Sequence, residues 1–328
     1  MSADLAADIK RFALHELGFS LAGIAGAGPL AGGARLAEWL ERGSHGTMAF
    51  LADTAAVRGD PGRFLPGARS VVCVAMSYHD GEDSPPPAGR PAAAAVARYA
   101  RRADYHRVIR SRLVRLGRFL AERAPGASWR PAVDTAPLLE KELAQRAGLG
   151  WIGKNTCLVN RTFGSELLLG EVVTDVGLPP DPPETDHCGR CSACLAACPP
   201  RAFPAARLLD ARRCLAYATV EHRGEFPAAL VPSLGNRLFG CDACQTACPW
   251  NRRARPSCAP ALAAREHLAA LSRAQLEGID REGWAAIAAG TPLRRLDHPR
   301  LVRNLAAMAR SEETGAGVEP RLWRAGGS

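Results

Sequence analysis

Four of the eleven cysteines stand in one run of short steps, and this run constrains the chain more than any other feature. The spacing is Cys188-x2-Cys191-x2-Cys194-x3-Cys198, followed by Pro199. Steps this short bring three thiolates to three irons of one cubane, while the fourth cysteine, after a longer step, points away from it. The run matches the cysteine pattern of bacterial ferredoxins and predicts iron–sulfur chemistry.

A second run, Cys241-x2-Cys244-x3-Cys248-Pro249, has the same ending, but Leu238 stands where its first cysteine would be. Cys214, between the runs, can supply the missing thiolate. Crossed ligation then divides eight thiolates between two [4Fe-4S] clusters, with Cys188, Cys191, Cys194 and Cys248 on one and Cys198, Cys214, Cys241 and Cys244 on the other. The alternative is a pair of structural zinc sites, which favour two separated C-x2-C pairs.

The chain has 328 residues, of which 47% are apolar and 23% charged, as in a globular protein. No stretch approaches about 20 consecutive apolar residues, which argues against a membrane span. The first residues lack the apolar region of a secretory signal, so we expect a cytoplasmic location. There, cysteines serve as ligands or catalysts more often than as disulfides. The other three, Cys73, Cys157 and Cys258, are interpreted as inert or as small buried apolar residues.

Hydrophobic periodicity predicts a mixed α+β first half. The spacing predicts helices over 4–17, 105–120 and 137–147, and strands near 21–25, 70–78, 129–133 and 166–176. A loop is expected over 80–95, and a segment with four prolines over 177–186 indicates a domain boundary. We therefore predict an α+β domain over 1–178, a ferredoxin-like domain over 179–260, and a short helical segment with a loose tail over 261–328.

Asp134 ends the predicted strand 129–133 and precedes Pro137. Two interpretations stay open for it. Asp134 is either a helix N-cap, or a carboxyl group at the mouth of an apolar pocket whose pKa is raised so that it can donate a proton. The single histidines His45, His79, His106 and His187 are interpreted as structural or solvent-facing residues.

The segment Gly148-x4-Gly153-Lys154-Asn155 nearly fits a phosphate-binding loop. Asn155 replaces the hydroxyl residue that would bind magnesium, and the segment follows a predicted helix rather than a strand. Both differences argue against nucleotide triphosphate binding. The glycines still predict a sharp turn or a close backbone approach.

Together these residues resemble the cobalamin-dependent epoxyqueuosine reductase family over about residues 1–310. The motifs that carry the resemblance are Gly46-x-Met48 with Leu51, Arg58, Arg98-Tyr99-Ala100, Asp104-Tyr105-His106, Val133-Asp134-Thr135-Ala136-Pro137 with Glu140-Lys141, the run 148–155, and the runs 240–245 and 248–251. Family members often continue into helical HEAT-like repeats, of which we expect at most a remnant here.

The resemblance implies a nitroreductase-like α+β domain that binds cobalamin next to the nearer cluster, followed by the ferredoxin-like domain. It implies the last step of queuosine synthesis, removal of the epoxide oxygen from epoxyqueuosine at the wobble position of tRNA. Asp134 matches the family's proton donor. The candidate cobalamin contacts are Arg58, Asp134, Lys154, Asn155, Ser165 and Asp242.

The formal charge of +9 comes mostly from arginine, since only Lys10, Lys141 and Lys154 are lysines. A basic surface permits a nucleic-acid partner. Candidate contacts for the phosphates of a tRNA anticodon loop are Arg107, Arg110, Arg115 and Arg118 on the predicted helix 105–120, together with Arg252 and Arg253. The alternative for the helix is a solvated charged face. We further expect an external electron donor, no membrane partner and a monomer.

Two other functions stay open. One is an iron–sulfur electron carrier for a partner protein, which would leave Asp134 and the run 148–155 without a role. The other is a corrinoid reductive dehalogenase. Such enzymes are usually exported with a twin-arginine signal, which the first residues of this sequence do not carry.

Overall fold

The computed structural model describes residues 2–81, 94–256, 259–269 and 271–314, which combine helices and strands. The strands are β1 (Leu21–Gly26), β2 (Ser70–Ser77), β3 (Ala95–Val96), β4 (Trp129–Ala132), β5 (Trp151–Ile152), β6 (Leu158–Val159), β7 (Leu167–Thr174) and β8 (Arg237–Phe239). The helices are α1 (Ser2–Arg11), α2 (Gly32–Glu41), α3 (Ala49–Asp53), α4 (Ala55–Arg58), α5 (Pro61–Phe64), α6 (Tyr105–Arg123), α7 (Glu140–Arg146), α8 (Ala193–Ala196), α9 (Val231–Leu234), α10 (Ala243–Thr246), α11 (Glu266–Ala269), α12 (Arg273–Leu276), α13 (Arg281–Ala288) and α14 (His298–Glu313). Among the described residues, none of these helices has the length and apolar character needed to cross a membrane.

The first half is built on a four-stranded antiparallel sheet with the strand order β1-β2-β7-β4. All eight residues of β2 are buried, because helices cover both faces of the sheet. A strand covered on both faces carries apolar residues without alternation, which is why the run 70–78 is recognisable in the sequence. The four strands predicted near 21–25, 70–78, 129–133 and 166–176 are confirmed.

Successive residues of the central strands face different helices. Helices α1 and α6 pack on one face, where Ile9 and Ile109 share a core with Val72 and Val172. Helix α7 packs on the other face, in a core that contains Val173 of β7. Since side chains alternate along a strand, residues 171 and 173 point toward α7. The middle of β7 therefore packs against α7, the helix that follows Asp134 in the sequence.

Helix α6 confirms the predicted helix 105–120 and extends it to Arg123. Asp104 is its N-cap residue, with the side chain accepting a hydrogen bond from the His106 backbone N–H. Gly117 lets the helix approach the sheet closely, because a Cβ atom there would overlap the ring of Trp129. The N-terminal end of α6 is thereby fixed beside the end of β4, where Asp134 begins.

Two predicted helices differ from the observed ones. The helix predicted over 4–17 is α-helical only to Arg11 and continues as a wider turn over Phe12–Glu16. The helix predicted over 137–147 begins at Glu140, because the preceding residues form a turn in which Leu138 N–H donates to the Ala136 carbonyl. Most of the predicted loop over 80–95, Cys258 and most of the predicted loose tail lie outside the described residues.

The C-terminal segment packs against the middle of the chain. Strand β3 pairs in parallel with β8, and α14 lies against β8 and α9. One apolar core joins Val96, Phe239 and Leu301. Buried Asn304 of α14 donates hydrogen bonds to the carbonyls of Thr219 and Leu238. Because of this packing, residues near position 295 lie beside the end of β4, although the two segments are far apart in the sequence.

Candidate active site

Asp134 stands directly after β4 at a turn with an unusual backbone. Its φ of 46° lies in the left-handed region that few residues other than glycine adopt. Its N–H donates to Oε1 of Glu140 at 2.6 Å. Leu139, not Asp134, is the N-cap residue of α7, so the N-cap interpretation is wrong. Backbone strain of this kind clusters at functional turns.

The carboxyl group of Asp134 contacts two basic side chains. Its Oδ2 lies 2.8 Å from Nε2 of His106 and 3.2 Å from Nη1 of Arg295. Burial alone would raise the pKa of this carboxyl, but the hydrogen bond and charge of His106, with the charge of Arg295, lower it. The expectation of a raised pKa for Asp134 is therefore wrong. In this arrangement the group is a carboxylate, which must receive a proton before it can donate one.

His106 bridges two carboxyl groups. Nδ1 faces Oδ1 of Asp104 at 2.7 Å, while Nε2 faces Asp134. Burial would lower the pKa of the imidazole, but the hydrogen bonds to Asp134 and Asp104 raise it. Since both ring nitrogens face acceptors, the ring carries a proton that it can pass to Asp134.

Neither His106 nor Arg295 is assigned to this site by the sequence analysis. His106 belongs to one of the short motifs that carry the family resemblance, which was the available signal. Arg295 lies in the single turn Pro292–Arg295 and is oriented by Glu221, whose Oε1 is 2.8 Å from Nη2. No local pattern distinguishes Arg295 from other surface arginines, so only the tertiary structure reveals it.

The thiols of the two cysteine runs lie in two groups. The first thiol group consists of Cys188, Cys191, Cys194 and Cys248. Cys194 lies within electrostatic range of Cys188 and Cys191, and Cys248 lies within electrostatic range of Cys194 and Cys188. Burial raises the pKa of Cys248 to about 11. As thiols these side chains are poor ligands, and a bound metal would be needed to hold them as thiolates.

The second thiol group consists of the remaining three cysteines of the two runs, Cys198, Cys241 and Cys244, together with Cys214, which lies between the runs. Cys214 interacts with Cys241 and Cys198, and Cys244 interacts with Cys241 and Cys214. Burial raises the pKa of Cys214 to about 11. In the part of the chain that the structure describes, no three His, Cys, Asp or Glu side chains converge on a site for a single metal ion. A cubane requires a wider arrangement, because each thiolate binds its own iron.

The hairpin of β5 and β6, which contains the run that resembles a phosphate loop, supports the cysteine loops. Nζ of Lys154 donates to the carbonyls of Gly189 and Cys191 at 2.8 and 2.7 Å. Nε1 of Trp151 lies 3.4 Å from Sγ of Cys188. Nδ2 of Asn155 donates to the carbonyl of Cys244 at 3.4 Å. Lys154 and Asn155 therefore stabilise the backbone of the loops that contain the cysteines.

The three cysteines outside the two groups differ from one another. Cys73 is fully buried in β2, as interpreted. Cys157 is half-buried, and its thiol forms a hydrogen bond with the thiol of Cys244. This contact places Cys157 at the edge of the second thiol group.

Polar side chains join the first half of the chain to the second cysteine run. Oγ of Ser165 donates to Oε1 of Gln245 at 3.2 Å, and Nε2 of Gln245 donates to the hydroxyl of Tyr78 at 3.2 Å. Oδ2 of Asp242 accepts from the backbone N–H of Arg98 at 2.8 Å. Burial raises the pKa of Asp242. Ser165 and Asp242 thus each form a hydrogen bond between the first half of the chain and the segment of the second cysteine run.

Two further observations connect Asp134 to its surroundings. Arg58 is 8% exposed, donates from Nε to Oγ1 of Thr54, and interacts electrostatically with Glu140 and Asp134. Tyr99 lies within electrostatic range of both Asp134 and Asp242. The catalytic candidate and the second cysteine run therefore face one region from two sides.

Two family models match this chain. The model described as epoxyqueuosine reductase QueG, DUF1730, matches residues 58–135, and the model of a 4Fe-4S double cluster binding domain matches residues 187–251. The first covers β2, α6 and Asp134, and the second covers both cysteine runs. The chain therefore contains a double-cluster domain of the 4Fe-4S type.

Curated relatives and solved structures match over most of the chain. The epoxyqueuosine reductase of Pseudomonas aeruginosa is 43% identical over 93% of this chain and 84% of its own length, and that of Escherichia coli is 38% identical over 92% and 80%. A crystal structure of an epoxyqueuosine reductase with an epoxyqueuosine-modified tRNA-Tyr stem loop superimposes with a TM-score of 0.83 at 27% identity, covering 95% of this chain and 83% of that one. The Streptococcus thermophilus enzyme gives 0.83 at 25% identity, covering 92% and 80%. With this identity over this coverage, the chain belongs to the epoxyqueuosine reductase family.

Proposed function

We propose that this protein reduces epoxyqueuosine to queuosine in tRNA. The observation that carries the proposal is the Asp134–His106 pair at the end of β4, beside two groups of four thiols, in a chain of this family. Removing the epoxide oxygen as water leaves an alkene and consumes two electrons and two protons. The cysteines can hold clusters that supply the electrons, and the Asp134–His106 pair can supply a proton.

The two thiol groups are the proposed ligands of two [4Fe-4S] clusters. The interactions within each group support the crossed assignment, since Cys248 lies with the first run and Cys198 lies with the second. Trp151 supplies an N–H to the sulfur of Cys188, and hydrogen bonds to sulfur shift the reduction potential of a cluster. Electrons from an external donor would then enter one at a time.

Cobalamin is the proposed cofactor between Asp134 and the second thiol group, in a first domain of the nitroreductase-like α+β type. The peripheral amides of a corrin pair with guanidinium, hydroxyl and carboxamide groups, and Arg58, Ser165 and Gln245 carry these groups around this region. The residues present therefore fit the cofactor. When bound, cobalamin supplies the reductive cleavage of the carbon–oxygen bond, which no side chain can perform.

Asp242 remains a proposed cobalamin contact at the same boundary. Lys154 and Asn155 hold the cysteine loops through backbone carbonyls, so we propose that they act on cobalamin only through those loops. The predicted domains over 1–178, 179–260 and 261–328 remain our proposal for the organisation of the chain. The shared core of Val96, Phe239 and Leu301 supports close packing between them.

Proton delivery is assigned to Asp134 and His106. Asp134 is 38% exposed at its side chain and can reach a substrate, whereas His106 is 21% exposed and lies behind it. The proton passes from Nε2 of His106 to Oδ2 of Asp134, and from Asp134 to the oxygen that leaves the substrate. Asp104 stabilises the charged ring of His106 through Nδ1.

A tRNA anticodon loop is the proposed partner, which favours a cytoplasmic location, and we propose separately that the enzyme works as a monomer. The basic face of α6 consists of Arg107, Arg110, Arg115 and Arg118. These four arginines are exposed, as are Arg252 and Arg253 beside the second cysteine run. Phosphates attract such a face, and base recognition in single-stranded loops adds specificity.

The test is anaerobic reconstitution with iron, sulfide and cobalamin, followed by reaction with epoxyqueuosine-containing tRNA. Mass spectrometry of the nucleosides should show queuosine, lighter by one oxygen atom. The Asp134→Ala variant should bind both clusters and cobalamin but produce no queuosine. A protein that carries clusters and retains no corrinoid would be an electron carrier, and a protein loaded with zinc would contradict the cluster assignment.

A further inference from the structure

Glu171 is a buried acidic residue at the centre of β7. It is 0% exposed, and its neighbours across the sheet are Cys73 of β2 and Ala132 of β4. Neither of its carboxyl oxygens receives a hydrogen bond from a donor among the described residues. An unpaired charge at this position would be costly, which favours the protonated form of Glu171. The mechanism above gives it no role.

The group that faces Glu171 is a second carboxyl, that of Glu140 at the start of α7. The two carboxyls lie within hydrogen-bonding reach of each other. Two carboxylates are both acceptors, so a hydrogen bond between them requires one to carry a proton. Carboxyl pairs in such contact do not both ionise near neutral pH, because their charges repel.

The same Glu140 fixes the turn that carries Asp134. Its Oε1 accepts the N–H of Asp134 at 2.6 Å, which is the main-chain bond at the residue with φ of 46°. A hydrogen bond to an ionised acceptor is stronger than one to a neutral acceptor. The charge on Glu140 therefore controls how firmly the Asp134 backbone is held.

We propose that Glu171 is a positioning residue: it holds a proton that it donates to Glu140, and the ionised Glu140 in turn fixes the backbone of Asp134. This rests on the proposed function only for the catalytic role of Asp134. Burial and the nearby Asp134 charge raise the pKa of Glu140 to about 7, while burial and Glu140 raise the pKa of Glu171 well above its usual value. Glu171 therefore keeps its proton at a pH at which Glu140 has lost its own.

The charged and titratable groups around the pair come from several elements. Asp134 approaches from the turn after β4, Arg58 from α4, Lys141 from α7, Tyr105 from α6 and Cys73 from β2. Lys141 favours an ionised Glu140, whereas Asp134 opposes it. Burial and the two carboxyls raise the pKa of Cys73, so this thiol stays neutral and adds no charge to the pair.

The experiment measures hydrogen exchange at the Asp134 amide, resolved by fragmentation mass spectrometry, in the cofactor-loaded enzyme without tRNA. Glu171→Leu removes the proton donor, and protection of this amide should fall by about ten- to a hundredfold, the range for a hydrogen bond to a charged group. Glu171→Gln supplies an N–H in place of the acid proton, so protection should be retained. Glu142→Gln is the control, since that side chain is also on α7 but accepts from the backbone of Gly32.

The pH dependence separates positioning from general stability. In the wild type, protection of the Asp134 amide should rise as Glu140 ionises near pH 7. In Glu171→Gln the midpoint of this rise should stay close to that of the wild type, because the amide N–H replaces a proton that Glu171 already donates. In Glu171→Leu the midpoint should move to higher pH, because the ionised Glu140 loses its donor. On tRNA substrate, Glu171→Leu should lower kcat by at least about tenfold with KM changed little, and Glu171→Gln should restore most of that loss.

Equal protection in the wild type and Glu171→Leu would overturn the proposal, as would equal loss in the leucine and glutamine variants. An unchanged pH midpoint in Glu171→Leu would do the same. These exchange measurements need no substrate. If the enzyme proved inactive on epoxyqueuosine while the exchange pattern appeared, the proposed function would fail and the Glu171–Glu140 assignment would stand.

Discussion

Nε2 of His106 lies 2.8 Å from Oδ2 of Asp134, so a protonated imidazole contacts the carboxyl group that we propose as the proton donor. The carboxyl is ionised here because His106 and Arg295 lower its pKa. A proton donor in that state depends on a neighbour for reloading. His106 meets this need, with Asp104 stabilising the charged ring from behind.

The relay predicts a strong effect of replacing His106. His106→Gln keeps a donor near Asp134 but cannot pass a proton, so we expect kcat to fall by about a hundredfold or more, as for loss of a general acid. KM and the iron and corrinoid contents should change little. Steady-state kinetics on epoxyqueuosine-containing tRNA measure this. His15→Gln, an exposed histidine in the turn after α1, is the control. A kcat for His106→Gln within twofold of the wild type would exclude the relay.

The same pair predicts a pH window of stability. The pKa of Asp134 is lowered on folding, so its contribution is present above the ordinary carboxyl value and lost as the pH falls through the lowered one. The pKa of His106 is raised, so its contribution is present below the ordinary imidazole value and lost as the pH rises through the raised one. The destabilisation of His106→Gln should therefore be largest between about pH 4 and 6.5. Thermal unfolding of both proteins across this range measures it, and a constant difference would contradict the pairing.

The ligand assignment predicts the iron content of cysteine variants. Cys214→Ala removes one member of the second thiol group, and we expect about half of the iron to be lost, corresponding to one cluster of two. Cys73→Ala, a buried cysteine in β2 outside both groups, should retain all of it. Iron analysis after anaerobic purification compares the two. Unchanged iron in Cys214→Ala would remove this residue from the ligand set.

Lys154 is predicted to protect the first cluster. Lys154→Met removes two hydrogen bonds to the backbone of the Cys188–Cys191 loop. We expect iron to leave this cluster about tenfold faster under a chelator, the effect of losing roughly one charged hydrogen bond. Arg11→Met, an exposed basic residue at the end of α1, is the control. Equal rates in both variants would show that Lys154 has no such role.

The basic face of α6 is predicted to bind tRNA phosphates. Replacing Arg107, Arg110, Arg115 and Arg118 together by glutamine should weaken tRNA binding and reduce the slope of log Kd against log salt by about three, as expected for four phosphate contacts. The apolar stripe of α6 faces the core, so the fold should persist. Filter binding at several salt concentrations measures the slope. A slope equal to that of the wild type would identify this face as a merely solvated surface.

Local sequence patterns were sufficient to predict the four strands of the main sheet, although not their order, and to locate the two cysteine runs. Strand β2 is recognisable because a strand covered on both faces needs an unbroken apolar run, and α6 because Ile109, Leu113, Leu116 and Leu120 recur at helical spacing. Helix α7 was predicted too long, since periodicity does not report the turn that holds Asp134. The pairing of β3 with β8 joins residues about 140 positions apart, and no local pattern indicates it.

The sequence by itself determined which residues can carry the chemistry: eight cysteines at cluster spacing and one aspartate at a strand end, because spacing along the chain limits which side chains can meet. The tertiary structure alone decided the state of that aspartate. It brought His106, Arg295 and Glu140 from three separate elements to its carboxyl and backbone. A pKa depends on every charge and on the burial around a group, and those surroundings exist only once distant segments have packed together.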